Sequence, residues 1–227
     1  MSITTRLEEI RARVDGAARG AGRDPDSVTL IAVSKTHPAE SIREAYAAGQ
    51  RDFGENYAQE LAAKREQLAD LKDLRWHFIG ALQSNKAKLV VPGTVLVHAV
   101  DRISVAEALA KRARTAGVSC EVLIEVNVGG ESSKAGVDPD GVAALLQQVS
   151  ALEGLRIRGL MTIPPPVENA DEARPFFRRL RALRDELRPQ FPSLEQLSMG
   201  MSGDFEVAIA EGATHVRVGT AIFGSRT

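Results

Sequence analysis

The sequence predicts a single-domain TIM-type (β/α)8 barrel. Short candidate strands alternate with helical stretches eight times, and no linker-like segment divides them. The 227 residues allow about 28 per unit, compact beside the ~250 residues usual for this barrel. A doubly wound open sheet is the alternative, because alternation alone does not distinguish a closed sheet from an open one.

The first segment reads as an extra N-terminal helix. Leu7, Ile10 and Val14 recur at helical spacing, and Thr5 with Glu8 has the form of a capping box. After Gly22 and Pro25 the run 28–33 is the first strand, followed by Ser34, Lys35 and Thr36 and then a helix over about 38–48. Further strands are expected at 51–53, 75–79, 95–100, 121–127, 156–161, 195–198 and 215–218. The clearest helix covers 170–187. Phe176, Leu180, Leu183 and Leu187 form its apolar stripe, opposite Arg174, Arg178, Arg181 and Arg188, which are expected to face water. The prolines at 164–166 make a stiff loop after the sixth strand. The segment from Gly129 to Gly136, rich in small polar residues, reads as a mobile loop that either closes over a ligand or is plain surface.

Composition narrows the function classes. Twenty-nine basic against thirty acidic side chains leave a net charge of −1, so no cationic face for nucleic acid or an anionic membrane is expected. An apolar fraction of 44% supports a sizeable core and excludes disorder as the main state. No apolar run approaches the ~20 residues of a spanning helix, and the charged N-terminus has no signal core. The lone Cys120 excludes an internal disulfide and fits a reducing compartment, so the protein is expected in the cytoplasm. With no long apolar surface helix, a monomer is expected.

Barrel chemistry gathers at the C-terminal ends of the strands. Lys35 stands there after the first strand, where a lowered pKa would make its amine a nucleophile; the alternative is a surface lysine at a loop start. After the seventh strand, Ser198-Met-Gly-Met-Ser-Gly-Asp204 places Ser202 at a helix N-cap and Gly203 where a backbone can be approached closely. After the eighth, Arg217-Val-Gly219-Thr220 adds a glycine and a hydroxyl. The two turns together match the phosphate site of such barrels. Separately each is an ordinary strand-to-helix turn, with Asp204 and Glu206 as first-turn carboxylates. An amine facing a phosphate cradle suits a ligand carrying both an aldehyde and a phosphate. Pyridoxal 5'-phosphate fits, with Arg217 placed to face the pyridine nitrogen; otherwise Arg217 is an exposed or salt-bridged strand residue. His37, His77, His98 and His215 fall in different units without ligand spacing, so no metal site is expected. The stretch 80–86 lacks the glycine pair of a P-loop.

The residues then take on a familiar order. The stretches 32–36 (Ala-Val-Ser-Lys-Thr), 53–57 (Phe-Gly-Glu-Asn-Tyr) and 77–80 (His-Phe-Ile-Gly) come first, the last with Leu82, Gln83, Asn85 and Lys86. There follow 159–164 (Gly-Leu-Met-Thr-Ile-Pro), 199–202 (Met-Gly-Met-Ser) with Asp204, and 217–224 (Arg-Val-Gly-Thr-Ala-Ile-Phe-Gly). Together they resemble the pyridoxal phosphate homeostasis proteins, the YggS/PROSC (PLPBP) family, over nearly the whole chain. The resemblance implies a fold similar to the N-terminal barrel of alanine racemase (fold type III). It also implies a role in binding and buffering the cofactor without established turnover. It implies Lys35 as the Schiff-base lysine, Asn56 beside the cofactor, Ser202, Gly203, Gly219 and Thr220 on the phosphate, and Arg217 at the ring nitrogen. Ala81 and Gly203 stand where relatives vary, away from the lysine and the arginine.

Binding without turnover is physically reasonable. A permanently charged arginine at the ring nitrogen only donates, favours an unprotonated ring and weakens the electron sink. Racemisation would then need two bases on opposite faces. In alanine racemase the second comes from an added β domain, whereas this chain ends at Thr227. Besides Lys35 only Tyr57, His77 and Cys120 are candidates, and no spacing argument places them opposite it. The expected function is a carrier that holds the cofactor on Lys35 and delivers it to apo-enzymes. The alternatives are a small racemase or decarboxylase, and a cofactor-free Schiff-base aldolase, against which the position of Arg217 argues.

Overall fold

The computed structural model describes residues 1–131 and 135–224. The chain opens with α1 (Ile3–Gly20), then β1 (Thr29–Val33), α2 (Ala39–Ala47), β2 (Asp52–Glu55), α3 (Ala58–Gln67) and β3 (Arg75–Phe78). It continues through α4 (Ala87–Val90), β4 (Leu96–Val100), α5 (Ile103–Ala116), β5 (Cys120–Glu125), α6 (Val142–Ser150) and β6 (Leu155–Met161). It finishes with α7 (Arg174–Leu187), β7 (Gln196–Ser198), α8 (Phe205–Ala210), β8 (His215–Val218) and α9 (Thr220–Phe223). The strands are parallel and close in sequence order. β8 returns to β1 with Thr29 opposite His215 and Ile31 opposite Arg217, which decides for the barrel over the open sheet.

All eight expected strands form, with shifted ends. The second was expected to stop at Phe53, since glycine and glutamate are poor strand formers. It runs on to Glu55 instead, because a Cβ at Gly54 would meet Ile31 Cγ2 at 2.9 Å and only glycine lets the inner face close. The main core lies between the strands and the helices. A second small cluster, Leu96, Ala99, Leu123 and Met161, comes from β4, β5 and β6 alone and is separate from the main core.

Three local expectations need correction. Ser2, not Thr5, caps α1: its Oγ accepts from the Thr5 amide at 3.1 Å. In α7 the deepest aromatic is Phe177, with Phe176 only partly buried. Its arginines do not simply face water, since Arg174 and Arg178 both grip Glu211, at 2.8 and 3.1 Å. Of the loop 129–136, residues 132–134 lie outside the described residues, as do 225–227. The loop's base is tied by the Val126–Val137 bridge and by Asn127 Nδ2 donating to the Glu131 carbonyl at 2.9 Å.

α1 covers the barrel's closing seam, packing on α2, α8 and α9. Buried Leu7, Ile10 and Val14 carry that contact, so apolar burial and not charge holds the helix. The bidentate Arg13–Glu206 pair on the same face is half exposed, and Arg13 also lies over the Phe205 ring. Glu206→Gln is therefore expected to cost less than about 1 kcal/mol, a fall of under about 4 °C in a thermal melt.

Candidate functional site

The strands deliver their last residues to one mouth, where a cavity of about 300 Å³ opens. Its walls include Lys35 beyond β1, Asn56 beyond β2, Ser202 and Gly203 beyond β7, Arg217 on β8, and Gly219 and Thr220 at the start of α9. All seven residues singled out in the sequence thus come together. Val33, Ile79, Ile163 and Met201 supply apolar wall, and His37 lines the cavity while stacking on Phe223 with centroids 5.1 Å apart. This mixture of apolar wall and few polar groups is the usual make-up of a small-ligand site.

The turn that carries Lys35 is pinned from behind. Lys64 of α3, a helix lysine that reads as surface, is buried and its Nζ lies 2.7 Å from the Ser34 carbonyl, Glu55 Oε1 and Glu60 Oε1. Ser34 Oγ donates to Glu55 Oε1 at 2.7 Å, and the Thr36 amide to Glu60 Oε1 at 2.6 Å. Thr36 holds φ +66°, a conformation unfavourable for a β-branched residue. Both residues flanking Lys35 are thus fixed by one buried ion cluster. Burial lifts the Glu55 carboxyl above its ordinary value, opposed by the Lys64 charge.

At the opposite wall, Ser202 does not cap α8 as expected; the cap position belongs to Asp204, whose Oδ1 accepts from the Met201 amide at 2.6 Å. Ser202 Oγ instead reaches the Gly219 and Ala221 amides at 3.3 and 3.5 Å, joining the two closing loops. The amides of Ser202, Gly203 and Thr220 donate to no acceptor among the described residues. A Cβ at Gly219 would stand 3.2 Å from the Val33 carbonyl, so the loop lies close against β1. Unpaired N–H groups grouped in this way are an anion cradle. Ser202→Ala should weaken binding of inorganic phosphate about five- to tenfold, the equivalent of one lost hydrogen bond of ~1 kcal/mol, read by isothermal titration.

Arg217 is neither exposed nor paired on the surface. It is 3% exposed, with Nη1 donating to Ser198 Oγ at 2.6 Å and Nη2 to the Thr162 carbonyl at 2.9 Å. Burial brings its pKa down to about 10, so it stays charged at neutral pH. The Asn56 Oδ1 atom is buried without a partner, an acceptor left over on the cavity wall. The sequence missed the interior beneath. His77, His98 and His215, assigned to separate units, meet inside the barrel with ring centroids 5.3 to 6.1 Å apart. Only their shared even spacing along the inward faces of β3, β4 and β8 could have signalled it. Among the described residues no group of three His, Cys, Asp or Glu is arranged to hold a metal. None of the candidate second bases lines the cavity. Tyr57 is exposed beside a neighbouring cleft, and His77 is bonded through both ring nitrogens. Cys120 begins β5 at the far end of the barrel, its thiol pushed up to about 12 by burial.

Comparison with known proteins places this geometry. The family described as alanine racemase, N-terminal domain, matches residues 6–227. A pyridoxal phosphate homeostasis protein of Aquifex aeolicus is 48% identical over 227 residues, covering 100% of this chain and 99% of the relative. The chain belongs to the pyridoxal phosphate homeostasis protein family. A second member, from Pseudomonas aeruginosa, is 49% identical over 226 residues, covering 99% of this chain and 96% of its own. Among solved structures, PipY of Synechococcus elongatus with PLP bound superposes with a TM-score of 0.85 at 45% identity, covering 98% of this chain and 100% of that one. Alanine racemase of Clostridium difficile shares the fold alone, with a TM-score of 0.74 at 12% identity over 96% of this chain and 56% of its own. No helix among the described residues is long and apolar enough to cross a membrane.

Proposed function

We propose that this protein binds pyridoxal 5'-phosphate reversibly, buffers it in the cytoplasm, and hands it to apo-enzymes, acting as one monomeric unit over its 227 residues. The observation that carries the reading is the pairing, across one cavity, of the Lys35 amine with a cradle of unpaired amides, with the Arg217 guanidinium between strand and cavity. PipY, a relative of 45% identity, has been solved with PLP bound, which supports it.

The residues present fit the cofactor. Ser202, Gly203, Gly219 and Thr220 would hold its phosphate, Arg217 would donate to its ring nitrogen, and Asn56 would offer its leftover acceptor beside it. Lys35 Nζ would hold the cofactor through a covalent Schiff-base linkage with loss of one water, the cofactor's aldehyde supplying the electrophile. Carriage is favoured over turnover because Tyr57, His77 and Cys120 all lie off the cavity wall, and because an arginine donor keeps the ring from acting as a strong electron sink.

The test is the visible absorption spectrum of the purified protein with added cofactor, repeated after adding an apo-enzyme that needs it. The expected result is a band near that of a protein-bound imine, which fades as the enzyme gains activity. A protein that stays colourless overturns the reading. Deuterium exchange at the α carbon of an added amino acid would favour an enzyme instead.

A further inference from the structure

Below the cavity, the inner face of the barrel holds buried polar groups that the binding role leaves unused. Arg217 Nη1 donates to Ser198 Oγ at 2.6 Å, and Ser198 Oγ lies 2.8 Å from His98 Nδ1. His98 Nε2 is 3.0 Å from His77 Nδ1, and His77 Nε2 is 3.0 Å from Asp52 Oδ1. Five side chains from β8, β7, β4, β3 and β2 therefore make one unbroken line from the cavity to the barrel floor. There Asp52 also accepts from Arg75 Nε at 2.8 Å and Nη2 at 2.5 Å. His215 stands beside the line, edge-on to His98 and bonded to Thr214 Oγ1 at 2.9 Å.

With both rings neutral, the carboxylate end orders every proton along the line. A guanidinium only donates and a carboxylate only accepts. Ser198 Oγ takes a hydrogen bond from Arg217 on one lone pair and, where His98 Nδ1 is bare, passes its own proton toward it. His98 then carries its proton on Nε2 and donates to His77 Nδ1, and His77 carries its proton on Nε2 and donates to Asp52. Burial, ahead of the charges around it, holds His98 well below the ordinary histidine value. Burial alone would raise Asp52, but the bonds from His77 and Arg75 outweigh it and bring it down to about 2, so the accepting end stays ionised.

We propose that Asp52, His77, His98 and Ser198 are positioning residues, a one-way hydrogen-bond chain that holds Arg217 as a fixed donor toward the cavity. With Nη1 spent on Ser198 and Nη2 on the Thr162 carbonyl, the guanidinium plane is locked, and its remaining N–H groups face a ligand that must accept. The chain thereby selects a heteroaromatic nitrogen in its unprotonated form and disfavours a pyridinium. This rests on the reading of the cavity as a pyridoxal phosphate site.

Two measurements test it, and the first needs no ligand. In wild-type apo-protein labelled with ¹⁵N-histidine, long-range ¹H–¹⁵N correlation is expected to show His77 and His98 as neutral Nε2–H tautomers at neutral pH; an Nδ1–H tautomer or an imidazolium on either ring overturns the chain. In the second, the cofactor carries ¹⁵N in its ring. Ser198→Ala is expected to move that resonance toward free, unprotonated pyridine, while Ser198→Thr, which keeps the hydroxyl, leaves it in place. A ring resonance unmoved by Ser198→Ala overturns the link to Arg217. Wild type that takes up no cofactor overturns the functional reading instead, and the tautomers still decide the chain.

Discussion

Replacing Lys35 by alanine is expected to abolish covalent capture of pyridoxal phosphate while leaving the barrel folded. Lys35 lies past the end of β1 on the cavity wall and is only half buried, so truncation opens no core cavity. The stability change should stay within about 0.5 kcal/mol. The cradle of Ser202, Gly203, Gly219 and Thr220 is built by the two closing loops and does not depend on the lysine. Non-covalent retention through the phosphate should therefore persist at reduced affinity, while the mass added after borohydride reduction disappears. Lys35→Arg should behave alike, because a guanidinium is not a nucleophile at neutral pH. Intact-protein mass spectrometry after reduction reads both variants. Adduct at an undiminished level in Lys35→Ala would assign the linkage to another amine and remove Lys35 from its proposed role.

The sequence announces the elements whose signals are local. Eight short runs alternating with helical stretches mark the strands, and glycine, serine and threonine after the last two mark the cradle, because turns and backbone approach leave their own residue types behind. What it hides depends on closure. Asp52, His77, His98 and Ser198 are scattered over 147 positions and meet only because β2, β3, β4 and β7 each turn the same face inward. Read one at a time they are a strand aspartate, two strand histidines and a serine, none distinguishable from residues facing solvent. Lys64 is the same lesson on a helix. Its neighbours Gln59, Glu60, Arg65 and Glu66 make the segment look solvated, and only the burial of Glu55 one strand away explains why a lysine is turned inward. The misplaced caps at Thr5 and Ser202 have a different cause. A cap is defined by where the backbone leaves the helix, a matter of one or two residues that side-chain type does not fix.

That lysine carries the second large effect. Lys64→Met should destabilise the protein by about 3–5 kcal/mol, because it leaves Glu55 buried and ionised with its Oε2 already without a partner. In a chain of this size the melting temperature should fall by roughly 6–20 °C. The sign of its pH dependence follows from Glu55, whose carboxyl burial already raises above its ordinary 4.5; losing the Lys64 charge raises it further. A carboxyl raised in the folded state costs stability only when ionised. The cost is absent below the unfolded value, grows as pH climbs, and levels off once the folded pKa is passed. The deficit of Lys64→Met relative to wild type should therefore be narrowest in acid and widest at neutral pH, measured by urea unfolding at both. Adding Glu55→Leu should recover more than half of it, since an apolar pair of similar volume is often as stable as a buried ion pair. Ser34 Oγ would still lose its acceptor, so recovery stays incomplete. The Ser34 to Thr36 turn loses its anchor in the single variant, and cofactor capture on Lys35 should weaken on the order of tenfold, the equivalent of ~1.4 kcal/mol of lost preorganisation. A deficit below about 1 kcal/mol, or one equal at both pH values, would mean that the cluster neither bears charge nor anchors the turn.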